Sequence, residues 1–144
     1  MYPQHYVICA GRPASGKTTF LKGLVEENKN YYYHDFDNRD LTHLNVNYWT
    51  HSSAYNTTTD VIDYLFLTTE QIRDFLTKLN AYYTSKDKGC VVTLYVYEDN
   101  LEACLKNNSV RPKERSAEKT IRECVYNVDK EALIVEFDNL TIKE

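Results

Sequence analysis

The chain has 144 residues, with 42% hydrophobic and 26% charged residues and a formal net charge of −4. That length suits one domain with a real core, and the balance is that of a soluble globular protein rather than a disordered one. An acidic chain argues against strong nucleic-acid binding by bulk charge, and no apolar run nears the roughly 20 residues that a membrane-spanning helix needs.

In chain order, His5–Ala10 (HYVICA) is a short apolar run that predicts a buried strand ending at Gly11. Beyond a glycine loop, Phe20, Leu21, Leu24 and Val25 recur at helical spacing and predict a helix from Thr18 to about Glu27. In NYYYHDFDNRD the tyrosines favour a second strand, and the acidic cluster marks its end. Leu41–Thr59 is polar and aperiodic, a long irregular loop of the sort that often serves function. Asp60–Leu67 (DVIDYLFL) predicts a third strand. Thr68 and Gln71 then form a capping-box pattern ahead of an amphipathic helix bearing Ile72, Phe75, Leu76, Leu79 and Tyr83.

After Gly89, CVVTLYVY predicts a fourth strand. Asp99 with Glu102 predicts the cap of a short helix that carries Leu101, Cys104 and Leu105. A basic loop, NNSVRPKER, precedes a helix starting at Ser116 with Ile121, Cys124, Val125 and Val128 on one face. The run ALIVEF (Ala132–Phe137) predicts a fifth strand. Strands alternating with helices imply a single α/β domain: a three-layer α/β/α sandwich around a five-stranded parallel sheet. Cys9, Cys90, Cys104 and Cys124 form no C-x-x-C pair and lie in apolar runs, so free thiols in a reducing cytoplasm are expected. The opening residues carry no signal-peptide pattern, and the four histidines have no metal-like spacing.

The loop GRPASGKT matches G-x-x-x-x-G-K-[ST] at every fixed position, between a strand and a helix. Gly11 and Gly16 permit backbone angles and close approach that a Cβ would obstruct. The N–H groups of Ala14, Ser15, Gly16, Lys17, Thr18 and Thr19 are expected to face phosphate oxygens, helped by the helix dipole. Lys17 would set its charge on the β- and γ-phosphates of ATP, and the Thr18 hydroxyl would ligate Mg²⁺. Nucleotide binding follows, but transfer does not, because GTPases, motor ATPases and small kinases share this loop. An N-K-x-D guanine motif is absent, and motor-type ATPases need a longer chain.

Three segments resemble the small P-loop kinases related to phage polynucleotide 5'-kinase and the zeta-toxin kinases. YVICAGRPASGKTTFLKGLVEEN has that group's G-x-P-x-S-G-K-[ST] form, with Ala14 where glycine is usual. YYYHDFDNRD stands where those kinases carry an acidic residue after the second strand. LEACLKNNSVRPKERSAEKTIREC resembles their arginine-bearing lid, near residues 106–118. The resemblance implies the P-loop fold along nearly the whole chain and an ATP-dependent kinase for a hydroxyl acceptor, whether a polynucleotide 5'-end, a nucleoside or a nucleotide sugar. It implies that Arg111 or Arg115 neutralises the transferring phosphoryl and that Arg39 steers an acceptor phosphate.

An acceptor needs a carboxylate to take or orient its proton. The resemblance implies Asp37, whose spacing from Lys17 aligns it with those kinases' catalytic aspartate, and Asp35 competes by its place at the strand end. Tyr48, Trp49 and Tyr55 lie in the loop that would cover the acceptor, where they either stack a base or pack over the sheet edge. The third strand ends in threonines rather than the usual Mg²⁺-supporting aspartate, and Asp63 would serve only if the strand stopped early. That departure favours the alternative, a non-catalytic nucleotide-binding module.

Overall fold

The computed structural model describes residues 4–35, 59–112 and 118–144. The elements run β1 (Gln4–Ala10), α1 (Lys17–Glu27), β2 (Tyr31–Asp35), β3 (Thr59–Phe66), α2 (Thr69–Ser85), β4 (Cys90–Val96), α3 (Leu101–Ser109), α4 (Glu118–Glu123), α5 (Lys130–Glu136) and β5 (Leu140–Lys143). The five strands form one sheet in the order β2-β3-β1-β4-β5, and every pairing is parallel.

β1 lies at the centre, and its alternation sorts the layers. Tyr6, Ile8 and Ala10 pack with Ile72, Phe75, Leu76 and Leu79 of α2 and Leu133 of α5. Val7 and Cys9 face the other way, toward Leu21, Phe20 and Leu24 of α1. Helices therefore cover both faces, which is why β1 reads as an unbroken apolar run. A third cluster joins Ala14 to Cys104, Leu105 and Ile121, seating α3 and α4 against the glycine loop.

α2 begins as the sequence predicts. Gln71 N–H donates to Thr68 Oγ1 at 3.3 Å, and Gln71 Oε1 accepts from Thr68 N–H at 3.1 Å. This reciprocal box satisfies donors that the first turn would leave open.

Three expectations are corrected. ALIVEF is not a strand: its residues lie largely in α5, capped by Asp129, whose side chain accepts from Ala132 N–H at 3.1 Å. Leu133 is the buried member, while Ile134 and Val135 are exposed. The fifth strand is β5, which pairs with β4 from Val92↔Leu140 onward. The cap of α3 is Asn100, accepting from Ala103 N–H at 3.0 Å, because Asp99 is engaged by Arg12. The helix expected to carry Val125 and Val128 on its face ends at Glu123, and Val125 is exposed.

Candidate functional site at the carboxyl end of β1

Parallel strands gather their carboxyl ends on one edge, and there the glycine loop leaves β1. Gly11 N–H donates to Phe66 O at 3.1 Å and Tyr97 N–H to Ala10 O at 2.9 Å, so both neighbouring strands hold the loop's root. Tyr126 Oη adds a bond to Ala10 O at 3.1 Å. A Cβ on Gly11 would meet Ser15 Oγ at 2.9 Å and Tyr97 Cβ at 3.1 Å, so glycine is needed for space. Gly16 caps α1 at φ 99°, and Ala14 sits at φ 64°. Both lie in the left-handed region that glycine enters freely, whereas alanine is strained there by about 1 kcal/mol. Ala14 is nonetheless 5% exposed, its methyl packed on Cys104 and Ile121.

Lys17 is buried at 5% exposure, and its ammonium donates to Gly11 O at 2.9 Å across the loop. Thr18 Oγ1 donates to Asp63 Oδ2 at 2.7 Å. Tyr33 Oη donates to the same carboxylate oxygen. Asp63 is fully buried, and its other oxygen, Oδ1, has no hydrogen-bond partner. Ser15 Oγ is the second buried side-chain oxygen without a partner among the described residues. An unsatisfied buried polar atom costs about 1–3 kcal/mol, and here both lie on the glycine loop or beside it. Asp60, also fully buried in β3, provides the contrast. Gln4 Nε2 donates to its Oδ2 at 2.8 Å, and His34 Nε2 lies 2.9 Å from its Oδ1.

The third strand does not stop early, and Asp63 still reaches the glycine loop: β3 runs on to Phe66, and Asp63 meets Thr18. The reason is register. Ile8 pairs with Ile62 and Ala10 with Phe66, so two residues of β1 span four of β3. Asp63 follows the Ile8↔Ile62 pair by one residue, so it lies beside the last residues of β1 although its own strand continues to Phe66. Parity does the rest, since Val61 packs on the α1 side and Asp63 follows two residues later. β2 ends at Asp35, which pairs in register with Asp63 and is exposed.

Arg111 follows α3, its N–H donating to Asn108 O at 3.0 Å. Four residues earlier, Asn107 Nδ2 donates to Ala14 O at 2.9 Å, so the end of α3 reaches the loop. Asp37, Arg39, Tyr48, Trp49, Tyr55 and Arg115 lie outside the described residues. The structure therefore brings together Gly11, Ala14, Ser15, Gly16, Lys17, Thr18 and Asp63, and sets Asp35 and Arg111 on neighbouring elements.

Arg12 escaped the sequence reading because it fills a variable position of the motif. Its Nε donates to Asp99 Oδ1 at 2.5 Å and its Nη1 to Cys124 O at 2.8 Å. The bond to Asp99 raises the guanidinium's pKa and lowers that of the carboxyl. Burial pushes the Cys9 thiol up to about 12, against the opposing pull of the Lys17 charge, so Cys9 is no nucleophile near neutral pH.

Beyond Thr19 opens a cleft of about 660 Å³, lined by Phe20, Tyr95, Tyr97, Lys130 and Glu144 among others. Phe20 meets Tyr95 edge-on with ring centroids 4.7 Å apart. Among the described residues no group of three or more His, Cys, Asp or Glu side chains could hold a metal by itself. The oxygens of Thr18 and Asp63 are hard donors that suit Mg²⁺, which keeps waters and takes few protein ligands. Among the same residues, no helix is long and apolar enough to cross a membrane. Compared with known proteins, the chain matches no family model and no curated sequence.

Proposed function

We propose that the protein is a P-loop phosphotransferase that moves the γ-phosphoryl group of ATP to a hydroxyl acceptor. The observation that carries this reading is the buried Asp63, bonded through one oxygen to Thr18 and unpartnered at the other, beside a glycine loop bearing Lys17. Holding a buried carboxylate oxygen ready at a cost in stability is what a cation beside bound phosphates would require.

Thr18 and Asp63 would hold Mg²⁺, which supplies charge neutralisation at the phosphates when bound. Lys17 would exchange its bond to Gly11 O for phosphate oxygens, and Ser15 Oγ would find a partner there too. Phe20, Tyr95 and Tyr97 offer apolar faces for the nucleoside in a cleft of suitable size. The bond between the β-bridging oxygen and the γ-phosphorus breaks, the acceptor oxygen forms the new bond, and its proton passes to Asp35 or Asp37. Arg111 or Arg115 would neutralise the phosphoryl in transit. Arg39, Tyr48 and Trp49 remain the proposed acceptor contacts.

The test is transfer. Mg·ATP labelled at the γ-phosphate is incubated with 5'-hydroxyl oligonucleotides, nucleosides and nucleotide sugars in parallel. Label should reach one acceptor class and stay in ATP with Lys17→Ala. Saturable ATP binding with no transfer to any member of the panel would overturn phosphotransfer in favour of a nucleotide-binding module.

A further inference from the structure

The outer side of the glycine loop is tied to the arm formed by α3 and α4, and Arg12 makes most of the ties. Its Nε and Nη2 reach both oxygens of Asp99, at 2.5 and 3.3 Å, in the connection that leads into α3. Its Nη1 donates to Ile121 O at 3.1 Å and Cys124 O at 2.8 Å, carbonyls at the end of α4, and lies 3.2 Å from Cys124 Sγ. Late carbonyls of a helix lack intrahelical partners, and a guanidinium there also meets the negative end of the helix dipole. The Arg12 side chain is 14% exposed, whereas that of Asp99 is 48% exposed, so the guanidinium is the buried centre of the contact.

Two further features act at the same place. Asn107 of α3 donates to Ala14 O. The Ala14 methyl is seated between Cys104 of α3 and Ile121 of α4, and the loop accepts a left-handed alanine to keep it there. Glycine would relieve that strain but would leave the seat unfilled. The loop is thus fastened from outside by an ion pair, two helix-end carbonyls, an amide and a methyl, all between residues 12 and 14.

We infer that Arg12 is a positioning residue, one that locks the α3–α4 arm carrying Arg111 onto the glycine loop so that the two shift together when the loop takes up nucleotide phosphates. This rests on the nucleotide reading proposed above. Coupling of this sort is reciprocal: if nucleotide tightens the arm, the arm tightens nucleotide. Packed elements with several simultaneous ties pass on small displacements that a single flexible contact would absorb.

Mg·ATP affinity is measured by calorimetry, and amide exchange of residues 119–124 is followed by mass spectrometry with and without Mg·ATP, for the wild type, Arg12→Gln, Asp99→Asn and the double variant. Exchange at 119–124 should slow with Mg·ATP in the wild type. Arg12→Gln should weaken Mg·ATP by about tenfold and abolish the slowing while melting cooperatively. Asp99→Asn, at a half-exposed site, should weaken it less, and the double variant should be no worse than Arg12→Gln alone. A folded Arg12→Gln or Asp99→Asn protein with wild-type affinity and wild-type slowing overturns the coupling and leaves the nucleotide reading intact. A wild type that binds no Mg·ATP removes that reading and the coupling with it.

Discussion

Asp63 and Asp60 are both fully buried in β3, three residues apart, and only one of them has both oxygens paired. On the proposed reading, that asymmetry separates a structural aspartate from one that would serve a ligand. Replacing Asp63 by Asn keeps an acceptor for the Thr18 and Tyr33 hydroxyls and removes the buried charge. Asp63→Asn should therefore leave the melting temperature unchanged or raise it, the usual sign of a site that trades stability for function. It should weaken ATP binding in the presence of Mg²⁺ by about tenfold, the typical cost of a lost metal-supporting contact, and leave binding in EDTA unaltered. Paired calorimetric titrations with and without Mg²⁺ check this. Equal loss in both would mean that Asp63 supports the loop and not a cation. The glycine loop itself was legible because each fixed position has a steric or electrostatic reason. Asp63 is legible as a residue but not as a partner of Thr18, because that contact joins α1 to β3 across 45 residues of sequence.

Among elements, β1, α1, β4 and α2 follow their sequence patterns because burial matches their apolar positions, and in α2 the capping box points the same way. ALIVEF misleads because three of its residues, Ile134, Val135 and Phe137, are β-prone, and a buried strand and a short helix look alike over six positions. The deciding signal lies just upstream, where Asp129 supplies the N-cap. The cap of α3 lies one residue beyond Asp99 for a tertiary reason: Arg12 captures Asp99, and Asn100 takes over.

β1 also carries a pH signature. His5, near its amino end, has Nδ1 3.2 Å from Thr59 Oγ1 of β3 and Nε2 2.8 Å from Thr93 Oγ1 of β4, which links three strands. Burial lowers its pKa from 6.5, and the Lys143 charge lowers it further. The unfolded chain then binds the proton more tightly, so this contribution to stability is complete above pH 6.5 and is lost as pH falls through the lower, folded value. Denaturant midpoints between pH 5 and 7.5 should rise with pH, and His5→Gln should flatten that rise. An identical slope in the variant would remove His5 as its source.

At the scale of the molecule, sheet order and parallel pairing decide where chemistry can happen. Placing β1 between β3 and β4 brings the loop, Asp63 and the aromatic cleft to one edge of the sheet. The alternation of strands and helices made the parallel sheet legible. Strand order was not, because it depends on which neighbours β1 selects, and no local pattern encodes that choice. The site's shape was hidden for the same reason: Arg12, Asp99 and Cys124 are distant in sequence and meet only through tertiary packing. The central claim is that this edge binds a nucleoside triphosphate with Mg²⁺. Isothermal titration of the wild type and Lys17→Ala with Mg·ATP tests it most directly. One saturable site is predicted for the wild type, weakened by about tenfold to a hundredfold in Lys17→Ala for want of a charge-assisted contact. Absence of binding by the wild type, or equal affinity in the two proteins, would contradict it.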